Sequence, residues 1–241
     1  MNTKLKALGL LSLAALLGAC GSGGSKSTAP TSTAAGAGQT TFVDRVDNPW
    51  FPLLPGTKWT YRGVKDGESS RDVVFITGAT KTIQGVPCTA VSDRLYVKGK
   101  LEERTTDWYA QDADGNVWYY GEATAELTPS GKVKTREGSW VAGRDGAEAG
   151  IFMPADPQVG QSFRQEFFEG HAEDHFAVLD LATSVRTPAV SSDEALLTKE
   201  WTPLEPEVLD HKLYVKGYGM VKEQTVKGGN ELNLLISFTG P

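Results

Sequence analysis

The sequence predicts an all-β protein, its antiparallel sheets forming a sandwich or an incomplete barrel, with signs of two duplicated halves. Three observations carry this reading. No apolar stripe at helical spacing occurs from Phe42 onward. Short runs rich in Val, Thr, Tyr and Trp recur instead, separated by turn residues every 8–14 positions or so. Segments about 103–104 positions apart also resemble one another.

The elements follow in order. Lys58-Trp59-Thr60-Tyr61 leads into a turn at Lys65-Asp66-Gly67, and Asp72 to Ile76 continues to Gly85. Asp107 to Gln111 faces Val117 to Tyr120 across Asp112-Ala113-Asp114-Gly115-Asn116. Thr128-Pro129-Ser130-Gly131 and Lys227-Gly228-Gly229-Asn230 are two further hairpin turns, with Gly where a positive φ is needed. Gly138 to Gly160, which contains Pro154 and Pro157, reads as a long connection.

That connection separates candidate repeats at 55–127 and 158–238. Pro55-Gly56-Thr57-Lys58-Trp59 matches Gln158-Val159-Gly160-Gln161-Ser162-Phe163, and Leu101 with Asp107 matches Leu204 with Asp210. Duplication of one unit and the general likeness of any two β-hairpin sets both produce such matches.

Residues 1–19 have the build of an export signal. Lys4 and Lys6 give a positive start, Ala7 to Leu17 an apolar core too short to span a bilayer, and Leu17-Gly18-Ala19-Cys20 closes it. The last four residues resemble the lipobox of bacterial lipoproteins. That resemblance implies cleavage before Cys20 and a covalent lipid on its sulfur. It also implies an envelope location: the outer membrane facing the periplasm in a Gram-negative host, since Gly21 rather than Asp follows, or the outer face of the cell membrane otherwise. Residues 20–41 carry no large apolar side chain and read as a flexible tether of roughly 25 Å. Residues 42–241 are then a single domain.

The whole chain of 241 residues has a formal charge of −6, and loss of Lys4 and Lys6 with the signal leaves −8. An acidic chain without a basic cluster argues against nucleic-acid partners. Cys88 is the second of two cysteines and, once Cys20 is lipidated, has no disulfide partner; its strand-like surroundings read as core.

Candidate sites are few. His171, Glu173 and His175 share one strand face, and the two histidines share one helix face; either geometry offers zinc two imidazoles and a carboxylate, with His211 able to join through the fold. A solvated strand end is the plainer account. Trp108, Trp118 and Tyr120 share one face of the central hairpin with Tyr109 and Tyr119 opposite. They serve either as core or as an aromatic-lined groove for an apolar or sugar-like ligand. Asp112 to Asn116 begins like a calcium loop, but Val117 stands where Gly is required and Ala123 where Glu is required. No Gly-x-Ser-x-Gly elbow, P-loop or dinucleotide fingerprint occurs.

Three stretches together resemble a family of bacterial secreted and lipid-anchored proteins with no assigned activity: Asn48 to Trp59, Asp107 to Glu122, and Thr202 to Pro206 with His211-Lys212 and Tyr214 to Gly217. The likeness runs from Asn48 to the C-terminus and implies one folded unit, with no site residues to carry over. The expectation is a non-catalytic envelope module that binds an apolar ligand or a partner protein. The alternative is a metal-binding protein or metal-dependent hydrolase using His171, Glu173 and His175.

Overall fold

The computed structural model describes residues 40–241. The expected export signal, the expected lipidation site Cys20 and the expected tether as far as Gln39 lie outside them.

Sixteen strands and no helix make up the described chain. The first half holds β1 (Phe42–Val43), β2 (Lys58–Lys65), β3 (Glu68–Ile83), β4 (Val86–Val97), β5 (Lys100–Asp112), β6 (Val117–Leu127), β7 (Val133–Thr135), β8 (Trp140–Val141) and β9 (Glu148–Met153). The second holds β10 (Ser162–Arg164), β11 (Glu166–Phe167), β12 (His175–Arg186), β13 (Ser191–Trp201), β14 (Leu209–Val215), β15 (Gly219–Lys227) and β16 (Leu232–Thr239). All pairings are antiparallel, and the order β10-β12-β13-β14-β15-β16-β2-β3-β4-β5-β6-β9-β11 forms one nearly closed barrel. The sandwich alternative is thereby set aside. The stretch read as a long connection, 138–160, contains two of these strands: β8 and β9 both pair with β6.

Two six-strand meanders run in sequence around the barrel, β2-β3-β4-β5-β6-β9 and β10-β12-β13-β14-β15-β16. Each opens with the same turn. Gly56 N–H donates to Ile76 O (2.8 Å), Ile76 N–H to Thr57 O (3.0 Å) and Thr57 N–H to Leu54 O (3.1 Å). Gly160, Val178, Gln161 and Gln158 repeat the pattern at 2.9, 2.9 and 3.0 Å. Both glycines sit at φ 90, where a side chain would be strained.

β16 pairs with β2 at one junction of the halves. At the other, β9 lies against β10. Gly150 permits the approach, because a Cβ there would fall 2.2 Å from the Arg164 carbonyl oxygen. An Arg164–Glu148 ion pair bridges the same seam.

One pole of the barrel is plugged. Asp47 and Asn48 N–H groups both donate to Gln111 Oε1 (2.9 and 2.8 Å), and Asn48 Nδ2 reaches the Gly115 and Pro154 carbonyls at 2.9 and 3.0 Å. So fixed, the following residues lay Trp50, Phe51 and Leu53 into the core. The Phe51 ring stands 5.2 Å from Tyr109 and 4.5 Å from Phe152.

Candidate functional site

Strand alternation places every second side chain inside a barrel. On β5 the inward set is Glu103, Thr105, Asp107, Tyr109 and Gln111, all buried. Asp72 on β3, Asp93 on β4 and Glu122 on β6 join them. The interior is therefore apolar toward the plug and acidic beyond it. What space remains beneath Phe51, between Trp59, Tyr61, Asp93, Asp107 and Tyr109, is about 20 Å³, room for roughly one water. An acyl chain has no place there.

Buried carboxylates without water must be hydrogen-bonded or protonated. Asp107 Oδ1 accepts from the Tyr119 hydroxyl at 2.9 Å, while Oδ2 has no hydrogen-bond partner. Burial, and then the charge of Asp93, push the Asp107 pKa well up. Asp72 is raised for the same two reasons and hydrogen-bonds with Asp93. Glu166 accepts from the Trp140 indole at 2.7 Å and is raised by burial and by Asp174 and Glu122. Each of these shifts favours the protonated carboxyl over the carboxylate.

The second half meets the same problem with a cation. Lys212 Nζ lies 2.6 Å from Glu200 and 3.4 Å from Glu223, all three buried. Burial alone would lower its pKa; the two carboxylates raise it well above the usual value. The Tyr214 hydroxyl and Asn233 Nδ2 donate to the same two glutamates.

The pole opposite the plug is open. A cleft of about 580 Å³ lies among the tips of the β2–β3, β4–β5 and β6–β7 hairpins. Val97, Leu101, Leu127 and Pro129 form apolar wall, and Glu103 and Lys65 form the floor. Glu103 Oε1 accepts from Thr105 Oγ1 at 3.2 Å, whereas Oε2 has no hydrogen-bond partner. Burial pushes the Glu103 pKa to about 7 against the pull of Lys65. The Lys65 ammonium, itself buried, stands 3.7 Å from Glu102.

The residues singled out by sequence have different surroundings. His171 is exposed and stacks on Phe168 at 4.4 Å. His175 begins β12 and stacks on Trp201 at 5.5 Å; burial and Arg164 lower its pKa. Glu173 Oε1 accepts from Gly170 N–H at 2.7 Å. His211 lies on β14, opposite Lys199. Among the described residues no three His, Cys, Asp or Glu side chains gather in metal-binding geometry, so the structure does not assemble this set. The chain turns at 169–171, between the bridged residues Phe168 and Ala172, which removes His171 from the strand face it was expected to share with His175.

The aromatic set divides as well. Trp118 and Tyr120 pack edge-on against Phe42 of β1, at 6.3 and 5.7 Å, and the Trp118 indole donates to Asp112. Trp108 lies elsewhere, with the Lys81 ammonium over its ring at 3.2 Å. A bulge causes the split: Trp108 faces Gly121 and Tyr109 faces Tyr119, leaving Tyr120 as the extra residue. Tyr109 and Tyr119 do occupy the opposite, inner face, stacked at 4.8 Å. The carboxylate of Asp112 caps its own turn, Oδ1 accepting from Asp114 and Asn116 N–H at 3.0 and 2.9 Å.

No protein-family model matches the chain, and no curated protein matches it. Two solved structures are similar in fold. One is a Bacteroides fragilis chain described as an exported protein with a YmcC-like fold, 14% identical, covering 79% of this chain and 99% of its own, with a TM-score of 0.46. The other is a Parabacteroides distasonis chain described as a lipoprotein, 12% identical, covering 84% of this chain and 100% of its own, with a TM-score of 0.43. At these values the likeness assigns nothing to this chain.

Proposed function

We propose that this protein is a lipid-anchored, non-catalytic binding module of the bacterial envelope, whose ligand enters the open pole. The supporting observation is the contrast between the two ends of the barrel. The cavity beneath Phe51 offers about 20 Å³, whereas the open cleft offers about 580 Å³ with apolar walls and a buried carboxylate oxygen lacking a donor. Volumes of that order suit small ligands when a few polar groups converge. The ligand is a small amphiphile with its apolar body along Leu101 and Leu127 and an ammonium donating to Glu103. Cys20 carries the anchor, and the segment after it sets the reach.

Titration of the full chain in detergent with hexylammonium, hexanol and hexanoate tests the site. Hexylammonium binds best, and binding tightens several-fold from pH 6 to pH 8 as Glu103 ionises. Glu103→Gln removes that pH dependence. Hexanoate binding as tightly as hexylammonium, or a pH dependence retained by Glu103→Gln, would sink the assignment. Mass spectrometry of the native product checks the anchor, which requires an acylated N-terminal Cys20.

A further inference from the structure

A second cleft, of about 330 Å³, lies on the flank of the barrel and shares no lining residue with the open pole. Lys81 from the outer part of β3 and Arg144 from the loop between β8 and β9 meet there, with Trp108, Trp140 and Phe168 as walls. Neither cation is in an ion pair among the described residues. The Lys81 ammonium rests on the Trp108 ring, and Arg144 is exposed. Burial and the nearby Arg144 both lower the Lys81 pKa, so the two positive charges feel each other. Like charges held together without a counter-ion repel, and an anion relieves that cost. The Trp108 indole N–H donates to no described residue and adds a neutral donor.

The remaining groups narrow the chemistry. Trp140 Nε1 is spent on Glu166, and the Ser139 hydroxyl is spent on Thr124, so their edges contribute contact surface. Asp145, exposed, also lines the cleft and supplies an acceptor beside the cations. A ligand using all of this has an anionic group, hydroxyl donors and a compact body with C–H faces. We propose that Lys81 and Arg144 hold the carboxylate of a sugar acid, with Trp108, Trp140 and Phe168 around its ring and Asp145 beside its hydroxyls.

Amide chemical shifts of the isotope-labelled full chain in detergent, titrated with sodium glucuronate, glucose and inorganic phosphate, test this. Glucuronate produces saturable shifts centred on Lys81 and Arg144, and binds at least tenfold more tightly than glucose or phosphate. Arg144→Ala and Lys81→Met each weaken glucuronate at least tenfold with an unchanged melting temperature; Lys81→Arg retains binding. Glucose matching glucuronate removes the role of the cations. Phosphate matching glucuronate reduces the cleft to an anion site with no sugar specificity. Either result, or an absence of saturable shifts, overturns the proposal.

Discussion

The two halves of the barrel share strand order and an entry turn, yet keep acidic groups in their interiors by different means. The second half neutralises Glu200 and Glu223 with Lys212 and adds donors from Tyr214 and Asn233. The first half sets Asp72, Asp93, Glu103, Asp107 and Glu122 along its inner face; burial raises the pKa values of Asp72, Glu103 and Asp107 and so favours their protonated forms, with hydrogen bonds from Tyr119 to Asp107 and from Thr105 to Glu103. One scaffold thus carries an ion-paired wall and a proton-loaded wall, the difference being one of degree, since burial also pushes Glu223 up to about 7 beside Lys212. The open cleft lies at the end of the proton-loaded wall, where Glu103 belongs to both.

The largest expected effect tests the ion-paired wall. Lys212→Met leaves two buried carboxylates without their cation and costs about 3–5 kcal/mol in denaturant unfolding at pH 7.5. A loss below about 1 kcal/mol would mean that both walls rely on protonation and would erase the distinction. The next effect tests the proton-loaded wall. Glu103 titrates at about 7 in the fold against 4.5 ordinarily, so the folded state keeps a proton that the unfolded chain releases. Its contribution is complete below pH 4.5, shrinks as pH rises and is gone above 7, a fall of up to about 3 kcal/mol. Melting followed from pH 5 to pH 8 should show the decline, and Glu103→Gln should make it shallower while raising stability at pH 8, the remaining slope belonging to Glu223, which burial also pushes to about 7. The smallest effect compares the entry turns. Gly56→Ala and Gly160→Ala each place a Cβ at φ 90 with ample space around it, so each costs about 1–2 kcal/mol and the two agree. A difference larger than either value would break the equivalence of the turns.

Much of the fold was legible in the sequence because hairpin turns are local. Lys65-Asp66-Gly67, Asp112 to Asn116 and Lys227 to Asn230 each mark their own hairpin through residues that accept unusual backbone angles. Closure was not legible, since the seam depends on Gly150 meeting Arg164 and on a run, Gly150-Ile151-Phe152-Met153, read as part of a connection. The acidic interior was hidden by the alternation rule itself, which assigns Glu103, Thr105 and Asp107 to solvent. The usable signal was phase: these residues lie in step with Tyr109 and Gln111, not with the outward Glu102, Arg104 and Thr106. Trp108 was singled out, but its cleft was not, because Lys81 and Arg144 come from distant parts of the chain.

Cys88 lies fully covered on β4, its thiol pushed up to about 12 by burial. Such a sulfur stays inert toward alkylating reagents until the outer turn joining β3 and β4 lifts away. The rate at which iodoacetamide marks it therefore serves as a native clock for the breathing of that flap. Because Lys81 stands opposite Cys88 in the same ladder, a ligand seated between Lys81 and Arg144 should slow that clock.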